Sequence, residues 1–293
     1  MSVTDGMAVV GIGSDTGGSV RIPAALCGLA GFKPTARRVP NDGALPLSTS
    51  LDSIGPLAAS LRCCALVDAV LAGAPAQVPT ALPVAGARLA VPTTVVVDDM
   101  DDAVAAAFER ACAALSRAGA RVTRLAWPEL AELPALNARG TLAGAEAWAW
   151  HRALLNGHAD AYDPRVGTRI RAGEAMGAAD YIDLLAARRR WVAAMQARMA
   201  PFDALLMPTV PLVAPDIAAT GASDSAYFKA NGLMLRNPSI INFLDGCALS
   251  LPCHAAGDAP VGLMLAAPAM ADARLLALGL GVEQVLAGAA QAA

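Results

Sequence analysis

Residues 11–35 read GIGSDTGGSVRIPAALCGLAGFKPT, and this stretch carries more information than any other part of the chain. The apolar residues within 7–13 predict a buried β-strand that leads into it, and residues 24–31 predict a short helix that a glycine ends. Gly17 and Gly18 then precede Ser19, and because glycine has no Cβ the backbone can turn tightly and approach a ligand closely. We therefore expect backbone N–H groups and the Ser19 hydroxyl to face one point, which is the arrangement that acyl transfer requires.

A glycine-rich stretch of this kind also occurs in three other settings. It can be a simple turn after an apolar run. A dinucleotide-binding fingerprint does not fit, because after Gly11 and Gly13 the third glycine position holds Thr16. A phosphate-binding loop of the Walker type does not fit either, because no Gly-Lys-Ser/Thr string follows.

The string GSDTGGSVRIPAALCGLAGFKPT resembles the hallmark of the amidase signature family, which contains serine amidases and the A subunit of tRNA-dependent amidotransferases. Later strings are also similar to family strings: SLDSIGP at 50–56, DALLMPT at 203–209 and the segment 242–265, which resembles the closing two-strand section of the family. The resemblance is strong at 8–57 and 202–286 and looser between them.

The resemblance implies that Ser19 is the nucleophile and that the backbone amides of Thr16, Gly17, Gly18 and Ser19 form the oxyanion hole. It also implies that three polar residues order this loop: Ser14, Asp15 and Arg21. For Asp15 and Arg21, a purely structural ion pair remains the alternative.

The same resemblance implies a lysine that relays protons through a second serine, both placed upstream of the nucleophile loop. The only lysines here are Lys33, in a string that resembles a structural position of the family, and Lys229, where no family motif matches. We therefore expect an N-terminally incomplete, C-terminal portion of an amidase, whose activity as an isolated chain is doubtful. A truncated protein, a mis-called start codon and a decayed gene all remain open as its origin.

The implied reaction is hydrolysis of a carboxylic amide through an acyl-enzyme, with no cofactor and no metal. The expected partner is a small-molecule amide, and a homodimer or a complementing N-terminal fragment is a further candidate. Two alternatives stay open: a catalytically inactive remnant or binding partner, and an ammonia-releasing A subunit of a tRNA-dependent amidotransferase.

Composition narrows the class further. The net charge of −3 argues against a nucleic-acid surface, and neither a membrane span nor a signal peptide is expected. Six cysteines without a C-x-x-C motif predict reduced thiols in a cytoplasmic protein. The acidic run 98–102 is better explained by a helix dipole than by a metal site.

These patterns predict an α/β/α fold with a mixed sheet, formed by one domain over 1–293. Residues 87–127 predict a β-α-β unit with parallel strands. The helical region 128–200 is expected to supply walls of the substrate pocket. Within it, Trp148, Trp150 and His151 are candidates for substrate contact, with a role in the core as the alternative.

Overall fold

The computed structural model describes residues 1–291, which contain one eight-stranded sheet with the strand order β1-β3-β2-β7-β8-β6-β4-β5. The strands are β1 Val10–Ser14, β2 Ala30–Lys33, β3 Ile54–Ala58, β4 Arg88–Pro92, β5 Arg121–Leu125, β6 Ala204–Pro208, β7 Cys247–Pro252 and β8 Gly262–Ala267. The helices are α1 Arg21–Leu26, α2 Leu61–Leu71, α3 Asp102–Arg117, α4 Pro128–Ala131, α5 Leu133–Leu136, α6 Leu142–Gly157, α7 Pro164–Arg171, α8 Ala178–Met199, α9 Ile217–Gly221, α10 Asp224–Phe243 and α11 Asp272–Gln291.

The sheet is mixed, as the sequence predicted. Strand β4 pairs in parallel with β5 and with β6, whereas the other strand pairs are antiparallel. The parallel β4–β5 pair is joined through α3, which confirms the β-α-β unit predicted for residues 87–127.

Alternation of side chains along the central strands builds a core on each face of the sheet. In β8, Leu263 and Leu265 face a core that includes residues of α2, α3 and α11. Met264 and Ala266 face the opposite core, which includes residues of α4, α8 and α10. Helices thus cover both faces, which confirms the mixed α/β class with its layered α/β/α arrangement.

The strand that leads into the glycine-rich loop lies at the edge of the sheet and is not the buried strand that its apolar residues predicted. Val9 is 84% exposed and Ile12 is 59% exposed. Among residues 1–291, β1 pairs only with β3, from Val10 opposite Ala58 to Ser14 opposite Ile54. An apolar run reports strand propensity but not the number of neighbouring strands, so the pattern alone did not show the edge position.

The helix after the loop also differs from the prediction, which placed it at residues 24–31. The observed α1 starts at Arg21 and ends at Leu26, and Ala30 already belongs to β2. Gly28 has a φ of +67° and turns the chain between them, a conformation that glycine adopts without steric cost. Ser19 consequently lies two residues before a helix, between an edge strand and α1.

The segment between Pro128 and Met199 contains only helices, α4 to α8 and two short 3₁₀ turns. No helix within residues 1–291 has both the length and the hydropathy needed to cross a lipid bilayer. In the same part of the chain, no three His, Cys, Asp or Glu side chains are grouped closely enough to hold a metal ion.

Candidate active site

A fully buried ion pair supports the loop that carries Ser19. The side chains of Asp15 and Arg21 are both 0% exposed, and Arg21 Nη2 lies 2.9 Å from Asp15 Oδ1. Arg21 Nε donates to Asp15 Oδ2 over 3.0 Å, so the contact is bidentate. Such pairs fix geometry as well as charge, and this one joins the two ends of the 15–21 loop.

Asn242 completes this network and was not singled out by the sequence. Its side-chain amide donates to both the backbone oxygen and Oδ1 of Asp15 over 2.9 Å, while its Oδ1 accepts from Arg21 Nη2 over 2.6 Å. The sequence placed Asn242 in the closing two-strand section, but it lies in the last turns of α10. Burial alone would raise the pKa of Asp15, but Arg21, with Lys33 and Asn242, lowers it to about 2, so the carboxylate stays charged.

The backbone amides of the loop divide into two groups. Gly18 N donates to Asp15 Oδ1 over 2.8 Å, which commits that amide to the loop itself. The amides of Thr16, Gly17 and Ser19 form no hydrogen bond with any residue in the 1–291 range. Of the four amides predicted to form an oxyanion hole, those of Thr16, Gly17 and Ser19 are therefore without a partner in the described range, whereas that of Gly18 is bonded to Asp15.

Close packing explains why residue 18 is a glycine. Its φ is +130°, and a Cβ built there would lie 2.6 Å from Pro238 Cβ and 2.7 Å from Ile22 Cδ1. Both distances are shorter than van der Waals contact allows. The loop is therefore held against α10, which carries Pro238 within the helix.

The loop is also tied to the segment after residue 46. The Thr16 hydroxyl donates to the Asp52 carboxylate through a short hydrogen bond. The other Asp52 oxygen accepts from the backbone amides of Leu47 and Ser48, over 2.9 and 3.0 Å. Asp52 is thus a structural acceptor that joins the glycine-rich loop to the segment at Leu47 and Ser48.

Ser14 lies apart from these contacts. Its side chain is exposed at the end of β1 and forms no hydrogen bond within the described range 1–291. The ordering contacts of the loop come instead from Asp15, Arg21, Thr16 and Asn242.

Ser19 is exposed and opens on a cavity of about 490 Å³. Thr16 and Gly17 lie in the same wall. Most of the remaining wall is apolar and comes from the 47–51 segment, the loop after β4, the helical region and α10. Those residues are Leu47, Leu51, Val95, Leu130, Leu133, Pro134, Leu142, Ala143, Leu235, Ile240 and Phe243.

Comparison with known proteins decides the family. A family model described as Amidase matches residues 1–276. The chain belongs to the amidase signature family. A curated relative, the 2-amino-5-chloromuconic acid deaminase of Comamonas testosteroni, is 37% identical over 98% of this chain and 62% of its own length.

Further members of the family support this assignment. The indoleacetamide hydrolase of Rhizobium radiobacter is 33% identical over 94% of this chain and 63% of its own length. A crystal structure of an amidase superimposes with a TM-score of 0.85 at 31% identity, covering 97% of this chain and 64% of that one. The chain therefore spans less than two thirds of the length of these relatives.

One carboxylate, for which the sequence analysis predicted no role, holds the segment that includes Leu47 and Leu51 of the cavity wall. Glu146 of α6 accepts hydrogen bonds from Ser48 Oγ over 2.6 Å, from the Ser50 amide over 2.9 Å and from Tyr181 OH over 2.7 Å, as well as from the Ser50 hydroxyl. Burial would raise the pKa of Glu146, but these donors lower it. The signal in the sequence that could have pointed to Glu146 is that it is a single acidic residue within the apolar run LAGAEAWAW at 142–150.

The aromatic cluster predicted near the substrate does not line this cavity. His151 is buried and lies 2.8 Å from Tyr162 OH and 3.3 Å from the Pro46 carbonyl oxygen. Trp150 is 42% exposed and packs on His151. The interpretation of these residues as packing groups of the helical region therefore fits the observed contacts.

Neither lysine contacts Ser19. Lys33 is buried and its Nζ donates to the Pro34 carbonyl oxygen over 2.7 Å. Burial and the nearby Arg21 charge lower the pKa of Lys33 to about 8. Lys229 is exposed on α10 and does not line the cavity.

Proposed function

We propose that this chain carries the nucleophile and the oxyanion donors of an amidase that hydrolyses a carboxylic amide C–N bond through an acyl-enzyme on Ser19. One observation carries the proposal. An exposed serine hydroxyl shares a cavity wall with Thr16 and Gly17, and the backbone amides of Thr16, Gly17 and Ser19 have no partner within 1–291. Donors held in advance where charge develops contribute about 10²–10³ in rate each.

The proposed reaction has two halves. Ser19 Oγ bonds to the amide carbon, the carbonyl oxygen becomes an oxyanion held by the three amides, and the C–N bond breaks. The serine proton passes through a base to the leaving nitrogen, so ammonia or an amine departs. Water then attacks the ester, the acid leaves, and Ser19 regains its proton.

The proton acceptor is the remaining element. Within residues 1–291, no side chain forms a hydrogen bond with the Ser19 hydroxyl, and the two lysines lie elsewhere. We propose that a lysine and a second serine on an N-terminal segment, as the family resemblance implies, complete the site. A positioned base contributes about 10²–10⁴-fold, so the chain alone would be far slower than the completed enzyme.

Labelling tests the nucleophile directly. A fluorophosphonate should modify the wild-type chain slowly and should not modify Ser19→Ala. Ser239→Ala is the matched control, because Ser239 lines the same cavity and its hydroxyl donates to the Arg236 carbonyl oxygen over 3.2 Å. Labelling that persists in Ser19→Ala would remove Ser19 from the mechanism.

Complementation tests the base. The chain should be co-expressed with the N-terminal third of the Comamonas deaminase, and ammonia release from primary amides should be measured. We expect release from the wild-type pair and none with Ser19→Ala. A correctly associated pair that releases no ammonia would favour the non-catalytic alternative.

A further inference from the structure

The cavity next to Ser19 has an unbalanced charge. Two arginines line it, Arg169 from α7 and Arg236 from α10, whereas no Asp or Glu does so among residues 1–291. The rest of the wall is apolar or carries neutral polar groups. A ligand in this cavity therefore meets positive charge on an otherwise apolar surface.

Arg169 differs from the other arginines of its helix. Arg165, one turn earlier, donates to Asp224 over 2.8 Å and stacks 4.5 Å from the centre of the Tyr227 ring. Arg171 donates to the Leu155 carbonyl oxygen over 3.2 Å. The exposed Arg169 forms no hydrogen bond or ion pair with any residue of the described range 1–291. Its guanidinium is thus available to a ligand.

Arg236 is held in place without a close counter-charge. Its Nη2 donates to the Asp98 carbonyl oxygen over 2.6 Å and its Nε to Asn237 Oδ1 over 3.1 Å. The Asp99 carboxylate lies 4.0 Å from Nη1, and that side chain is 81% exposed. Neutral oxygens therefore orient this largely buried cation, and its one ion pair among the described residues is the long contact with the exposed Asp99.

We propose that the substrate is an amide whose acyl group bears a second, anionic end, such as the monoamide of a dicarboxylic acid. Arg169 binds the distal carboxylate, and the fixed charge of Arg236 strengthens its attraction. The carbon chain lies along the leucine-rich wall while the amide carbonyl reaches Ser19. Guanidinium groups match carboxylates with two parallel hydrogen bonds, and the volume of about 490 Å³ suits a small molecule.

This inference rests on the proposed function for the orientation of the amide, but the anion site can be tested without catalysis. The test uses the Ser19→Ala chain, which cannot form an acyl-enzyme, and calorimetric titration with two ligands of six carbons. One is adipamic acid, which has an amide and a carboxylate, and the other is hexanamide, which has the amide alone. We expect adipamic acid to bind at least about tenfold tighter, since a charged hydrogen-bonded pair contributes about 1.5–3 kcal/mol.

The added substitution Arg169→Gln should remove this preference and leave hexanamide binding unchanged. Arg62→Gln is the control, because it also removes one positive charge, but Arg62 is exposed on α2 and does not line the cavity. Equal affinities for the two ligands, or a preference that survives Arg169→Gln, would overturn the proposal. Because Ser19 is absent throughout, neither result depends on the nucleophile, which the labelling experiment tests separately.

Discussion

Two arginines near the candidate active site are held in opposite ways. On the loop side, Arg21 is 0% exposed and is paired with Asp15 and Asn242. On the helical side, Arg169 is exposed and has no partner within residues 1–291. Arg21 supports the loop that carries Ser19, whereas Arg169 lines the cavity, and within residues 1–291 only Arg21 has its charge balanced by the protein.

The difference indicates that Arg21 stabilises the fold, whereas the charge of Arg169 is available to bind a ligand. A charge taken out of water destabilises the fold unless it is paired and hydrogen-bonded, so the partners of Arg21 are required. An exposed guanidinium stays hydrated at little cost until a ligand replaces the water. The paired charges thus hold the loop that carries Ser19 in one conformation, whereas the helical wall offers the guanidinium of Arg169 to a ligand.

Removal of the negative charge of the loop should produce the largest loss in the free energy of unfolding. Asp15→Asn leaves Arg21 buried without a counter-charge, and we expect a loss of about 3–5 kcal/mol in the free energy of unfolding. Urea denaturation measures this loss. Asp258→Asn is the control, because its ion pair with Arg110 is about half exposed on both sides, and it should cost less than about 1 kcal/mol. Similar losses in the two variants would show that the buried pair is not the support of the loop.

A side chain at residue 18 should have the next largest effect. Gly18→Ala introduces a Cβ against Pro238 and Ile22 at a φ of +130°, and we expect a cost of about 2–4 kcal/mol together with loss of Ser19 labelling. Gly43→Ala separates conformational strain from the clash, since Gly43 has a φ of +82° but open space around it. We expect about 1 kcal/mol there and normal labelling. Thermal unfolding and labelling rates of both variants provide the measurement, and normal labelling of Gly18→Ala would contradict the packed loop.

On the helical side, loss of the Glu146 charge should have a smaller effect. Glu146→Gln weakens the contacts to Ser48, Ser50 and Tyr181, so we expect a loss of about 1–2 kcal/mol at pH 7. Because the pKa of Glu146 is lowered from 4.5 in the folded chain, this contribution is present above pH 4.5 and is lost as the pH falls below it. The difference in the free energy of unfolding between wild type and variant should therefore become smaller at acidic pH.

Urea denaturation at several pH values measures this difference. Glu132→Gln is the control, since Glu132 is exposed and forms no side-chain contact in the described part of the chain. A difference between wild type and Glu146→Gln that is constant from pH 7 to pH 3 would show that the Glu146 charge does not hold this wall.

The sequence predicted those features that depend on local pattern. The spacing of apolar residues around α3 predicted the parallel β4–β5 unit, and the glycines before Ser19 predicted a tight turn where it occurs. The resemblance to the amidase signature family identified the family from the string around Ser19, which the family model then confirmed.

Features that depend on tertiary contacts could not be predicted from local sequence pattern. Asn242 meets Asp15 across 227 positions of the chain, and Glu146 meets Ser48 across 98. No pattern among neighbouring residues predicts such a long-range contact. The edge position of β1 was missed for the same reason, because the neighbours of a strand are set by the order of the whole sheet.

We propose above that Ser19 and the unbonded amides beside it act together on one carbonyl group. A crystal structure of the chain after fluorophosphonate treatment tests it most directly. We expect the phosphorus on Ser19 Oγ and the phosphonyl oxygen about 3 Å from two or more of the Thr16, Gly17 and Ser19 amide nitrogens. An adduct on another serine, or a phosphonyl oxygen turned away from all three amides, would contradict the account.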